Sequence, residues 1–170
     1  MKKGKNKKAQ QIFGMSVGMI FTIILIIFFI VVAIIAITAI LSTQNCAKVG
    51  LYINDLETEI DNAWNQDTWT NEFKASIPSG VKKICFANTT NNDFKGIDKD
   101  LGIEIDIYPD KNMFFFPPNK ACDMAEHEIE HLDIEFITRS NNPYCIPVNN
   151  GKIFFMIEKE SDDRLVKIRK

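Results

Sequence analysis

An α+β protein anchored in a membrane is predicted, on three observations. The thirty residues from Ile12 to Leu41 carry no charge, an amphipathic stretch follows them, and the remainder breaks into short β-forming runs separated by turns. The expected architecture is a long N-terminal transmembrane helix extending into an amphipathic helix, followed by a small antiparallel β-sheet domain. Its parts are a basic tail at 1–11, the transmembrane helix at 12–41, the amphipathic extension at 42–66 and a disulfide-bridged, β-rich domain at 67–170.

The apolar run exceeds the roughly 20 residues that span a hydrocarbon core of about 30 Å. All five basic residues before it (Lys2, Lys3, Lys5, Lys7, Lys8) stand without an acid, and the chain after it holds 15 Lys and Arg against 22 Asp and Glu, a net −7. Basic flanks stay in the cytoplasm. A single-pass protein of the cell membrane follows, with a cytoplasmic N-terminus and an acidic extracytoplasmic domain. An outward face of that sign argues against nucleic acid as a partner, since phosphate binding needs cations. The bilayer itself is the implied partner, beside a surface partner that the sequence does not identify. Gly14 and Gly18 have the spacing that lets two membrane helices approach closely, so self-association is an expectation there.

Two other readings of the N-terminus compete. A cleaved secretory signal has a shorter apolar region ending in a small-x-small site, and Ala36-Ile37-Thr38 is a poor, distant version of one. Lys7-Lys8-Ala9-Gln10 is similar to the site at which archaeal type IV pilin precursors are cut. Such pilins carry a Glu five residues into the mature helix, where this chain has Gly14.

Beyond Leu41 helix is predicted to continue, because Val49, Ile53, Leu56, Ile60 and Ala63 recur at steps of three and four. Past Trp69 that period fades, and Ile77-Pro78-Ser79-Gly80 is a turn. Strands are then expected at Val81 to Ala87, at Ile103 to Ile107 by strict alternation, and at Met113 to Phe116, the last two as a hairpin around Pro109-Asp110-Lys111-Asn112. Asn88 to Lys99 reads as a loop. Three consecutive phenylalanines cannot share one face of a strand, so something must cover both. Leu132 to Thr138 alternates and reads as a strand. Pro143 to Val148 and Ile153 to Glu158 flank Asn150-Gly151, a strong hairpin signal, and Leu165 to Ile168 closes an expected meander.

Cys46, Cys85, Cys122 and Cys145 all follow the apolar run, with no Cys-x-x-Cys spacing. An even count in a small domain exposed to an oxidising exterior reads as two disulfides, with three pairings open. Each would stabilise by about 2–4 kcal/mol. Asn88-Thr89-Thr90 is a glycosylation triplet consistent with the same topology.

One stretch carries metal chemistry in principle. His127-Glu128-Ile129-Glu130-His131 satisfies His-Glu-x-x-His, in which histidines four apart on a helix bind zinc and the glutamate activates water. His127 and His131 would be ligands and Glu128 the base. Against this, alternation resumes by Leu132, leaving about one helical turn, Glu130 puts a charge inside the motif, and the chain has no third histidine. Asp123, Glu126 and Asp133 extend an acidic face. No Gly-x-Ser-x-Gly, phosphate-cradling loop or cofactor motif is present. Asp93, Asp98 and Asp100 lack the glycine and closing glutamate of a calcium loop. Trp64 and Trp69 are candidates for sugar stacking or for packing under the sheet.

Gln11-Ile12-Phe13-Gly14-Met15, Asn45-Cys46 with Val49-Gly50, Ala63-Trp64-Asn65, Pro78-Ser79-Gly80 before Cys85-Phe86, Lys120-Ala121-Cys122, Ile137-Thr138-Arg139, Asn142-Pro143-Tyr144-Cys145 and Arg164-Leu165-Val166 together resemble uncharacterised single-pass membrane proteins of small archaea, with a type IV pilin-like overall architecture. That resemblance implies an anchored, cysteine-bridged domain on an archaeal cell surface and implies no activity. The resulting expectation is a non-catalytic surface or envelope component displaying a binding domain. Its alternatives are a filament subunit of pilin type and a membrane-tethered zinc-dependent hydrolase.

Overall fold

The structure is a computed structural model and describes residues 17–90 and 93–170. It is α+β: a long N-terminal apolar helix followed by small antiparallel sheets. Residues divide into two units, Met1–Thr43 and Gln44–Lys170. Helix α1 covers Val17–Trp64. In the first unit every described side chain from 18 to 43 is exposed. That stretch is long and apolar enough to cross a membrane, since about 20 apolar residues span a hydrocarbon core.

In the second unit the outer part of α1 buries Val49, Tyr52, Ile53, Leu56, Ile60 and Ala63. These positions follow the three-and-four spacing that gathers side chains on one helical face. Each large one removed from water contributes about 1.5–3 kcal/mol. The stripe ends at Ala63, and Asn65, Gln66, Asp67 and Thr68 offer nothing further to bury, so the helix stops at Trp64.

Seven strands form among the described residues. Strand β1 (Trp69–Ser76), β6 (Lys152–Lys159) and β7 (Lys167–Arg169) make one antiparallel sheet in the order β1-β6-β7. The other has the order β4-β3-β2-β5, from Glu126–His127, Met113–Phe116, Lys83–Phe86 and Tyr144–Pro147. The first sheet pairs Phe73 with Phe155, which meet at 5.2 Å between ring centroids, and turns Ile153 and Ile157 inward beside them.

The second sheet is covered on both faces. Met113 and Phe115 join Tyr52 and the α1 stripe, whereas Phe114 and Phe116 pack with Cys85, Ala87 and Ile105 in a separate cluster that Phe94 and Leu101 border. The loop between β2 and β3 is thus a plug that lets all four residues of β3 be buried.

Several expected elements differ. Ile103 to Ile107 is not a strand and makes no hairpin with β3; Gly102–Ile105 is a one-turn helix, α2. Ile105 is fully buried while Ile103 and Ile107 are 82% and 69% exposed. Over a single helical turn, residues four apart share a face and the one between them points away, so an alternating pattern fits the turn equally well. Leu132 to Thr138 is likewise not a strand. The Asp133 carboxylate accepts the Phe136 N–H at 2.9 Å and caps α3 (Ile134–Ile137), a local bond that competes with strand formation. Strand β1 carries no alternating apolar pattern, since only Phe73 of its eight residues is buried.

The Asn-Gly turn forms as expected. Asn150 and Gly151 have φ of 52° and 69°, and Asn149 and Lys152 exchange backbone bonds of 2.9 and 3.0 Å. The strands it joins are not partners, however: β5 pairs with β2 and β6 with β1 and β7, so the expected meander is split between two sheets.

Candidate functional site

The His-Glu-x-x-His segment is not helical. His127 lies in β4 opposite Met113, and Asn112 clamps the Ile129 backbone, its carboxamide oxygen accepting the N–H and its nitrogen donating to the carbonyl, both at 2.8 Å. Ile129 drops into the core at 1% exposure, and His131 takes a left-handed φ of 63°. The placement of two histidines one helical turn apart, on which the zinc reading depends, is therefore not made.

Each histidine instead meets α1. Glu57, Asp61 and Trp64 lie four and three residues apart, along the flank of the buried stripe. His127 Nε2 is 2.9 Å from Glu57 Oε1. His131 Nε2 stands 3.8 Å from Asp61 Oδ1 and 3.9 Å from Glu130 Oε2, and its ring lies on the Trp64 indole with centroids 3.8 Å apart and planes 3° from parallel. Glu57, Asp61, Glu128, Ile129 and Glu130 border a hollow of about 300 Å³. Among the described residues no three His, Cys, Asp or Glu side chains gather as a metal-binding group. Glu128 is exposed and makes no bond to either histidine among the described residues.

A larger open cleft of about 610 Å³ lies between the sequon, the Pro109–Asn112 turn and the start of α3. The Asn88 backbone is held by the buried Asn142, whose Oδ1 accepts the N–H at 3.0 Å and whose Nδ2 donates to the carbonyl at 2.9 Å. No sequence signal marked Asn112 or Asn142 as a clamp, because an asparagine holding a distant backbone has no local pattern. Glu57 and Asp61 were legible as charges on the helix, not as histidine partners.

The disulfides are Cys46–Cys122 and Cys85–Cys145. Cys85 and Cys145 face each other across β2 and β5 with Cα atoms 4.0 Å apart, the close spacing of a pair that does not exchange backbone hydrogen bonds. Cys46 ties α1 to the segment after β3. Trp69 packs on the core and Trp64 on His131. Asp98 pairs with Lys83 and Asp93 with Lys95, so those acids have cationic partners. Gly18 is exposed on α1, while Gly14 and the pilin-like Lys7–Gln10 site fall outside the described residues.

Fold and site define an α+β domain, closed by two disulfides, on a helix able to cross a membrane. No family model matches the chain, and no curated protein or solved structure matches it either.

Proposed function

We propose that the chain is a single-pass surface protein that holds its acidic, disulfide-bridged domain outside the cytoplasm and acts there by binding. The carrying observation is that all four cysteines are joined pairwise within the second unit, while the other unit presents an uncharged, mostly apolar surface over its described length. Disulfides persist in oxidising compartments, and the five lysines before the apolar run favour a cytoplasmic start. A structural use of both histidines, each directed at carboxylates of α1, supports binding over zinc hydrolysis. Labelling of intact cells with an impermeant maleimide, before and after reduction, tests this. Thiols that react only after reduction are the expected result, and thiols that stay shielded until lysis would sink the reading.

A filament subunit of pilin type is the second reading, supported by α1 running from Val17 to Trp64 as one helix whose outer part lines the domain core. It requires removal of residues 1–9, which intact-mass analysis of membrane-extracted protein detects.

A further inference from the structure

We propose that Asn88 is an N-glycan acceptor, with the first sugar seated in the cleft beside it. This rests on the surface placement proposed above, because the sugar donor acts outside the cytoplasm. The chain contains a single Asn-x-Ser/Thr triplet, and its middle residue is not proline. The triplet is arranged for transfer. Asn88 Oδ1 accepts the Thr90 N–H at 3.0 Å, which polarises the carboxamide and makes its N–H protons more acidic. Asn142 fixes the Asn88 backbone on both sides. Thr89 is turned inward, its hydroxyl donating to the Pro109 carbonyl at 2.7 Å, whereas Thr90 is exposed. Among the described residues Asn88 Nδ2 and the Thr90 hydroxyl have no hydrogen-bond partner, and both residues border the 610 Å³ cleft with Asp110, Lys111 and Glu135 on its rim. Those polar groups suit sugar hydroxyls.

The donor class is an oligosaccharide on a polyprenyl phosphate. Nδ2 bonds to the sugar C1, the C1–O bond to phosphate breaks, the lipid phosphate leaves with the electron pair, and one amide proton passes to a base of the transferase.

Full-length protein from membranes of the cells that make it tests this by intact mass and by peptide mapping, with the cysteines mapped in the same digest. The expected result is a sugar mass on the Asn88 peptide in most molecules, absent in Asn88→Gln and Thr90→Ala and kept in Thr90→Ser. Mapping of the unaltered chain needs no variant to fold. A bare Asn88 in protein whose disulfides are formed overturns the acceptor and leaves the surface reading standing. Bare Asn88 with free thiols overturns both, and a sugar mass that persists in Asn88→Gln also overturns the proposal.

Discussion

His131 lies flat on Trp64, 3.8 Å from ring centre to ring centre and 3° from parallel, although 67 positions separate them in the chain. The stack fastens the end of α1 to the segment that leaves β4, beside the His127–Glu57 bond. Aromatic pairs of this kind contribute about 0.5–1.5 kcal/mol beyond buried area. A double-mutant cycle of Trp64→Ala and His131→Ala should show a coupling of that size in urea unfolding. Additive losses would mean that the rings do not support each other.

Tyr52 is buried against Phe73 and Phe115, and its hydroxyl has no partner among the described residues. A buried hydroxyl left unsatisfied costs about 1–3 kcal/mol. Tyr52→Phe should therefore unfold at equal or higher urea concentration. Burial also pushes the phenol well above its ordinary range. The folded form then keeps a proton that the unfolded chain sheds, so stability falls as pH rises past about 10. Part of that alkaline decline should vanish in the phenylalanine variant.

Asp163 and Lys167 form an ion pair with side chains only 15% and 13% exposed. The hydrogen bond from Lys167, aided by the Glu160 backbone N–H, holds the Asp163 carboxyl below the usual range, and the same bond raises Lys167. The depressed carboxyl stabilises above its unfolded value, near 4, and that contribution is lost as pH falls through the folded value. Asp163→Asn should flatten the acid limb of stability against pH. An acid limb unchanged in slope would remove the pair from the explanation.

Gly102 opens α2 against Phe94, whose side-chain atoms would stand 2.3–2.8 Å from an added Cβ. Gly102→Ala must displace the plug over Phe114 and Phe116, at a cost of about 1–3 kcal/mol. Hydrogen exchange should quicken across residues 94–106 before the rest of the domain. Uniform protection would show that the plug is not a separate layer.

Peptide mapping without reduction should recover only Cys46–Cys122 and Cys85–Cys145. Replacing either pair by serine should lower stability by about 2–4 kcal/mol. Loss of Cys46–Cys122 should loosen α1, whereas loss of Cys85–Cys145 should loosen β5. Any Cys46–Cys85 peptide would contradict the sheet order.

The apolar run, the stripe from Val49 to Ala63 and the Asn150-Gly151 turn were legible because each depends on neighbours within a few positions: hydrophobic length, helical period and tolerance of positive φ. By itself the sequence determined the α+β class, the continuation of helix past the apolar run and the presence of two bridges' worth of cysteines. Tertiary structure alone decided the rest. Ile103 to Ile107 and Leu132 to Thr138 alternate as strands do, yet a plug under one apolar residue and an aspartate cap turned them into single helical turns. The Cys85–Cys145 pairing followed from β2 lying beside β5, a neighbour relation invisible in spacing. His127 and His131 satisfied a helical motif in letters only. Their geometry was settled by Asn112 holding Ile129 in the core, a bond between residues 17 apart that no local pattern encodes.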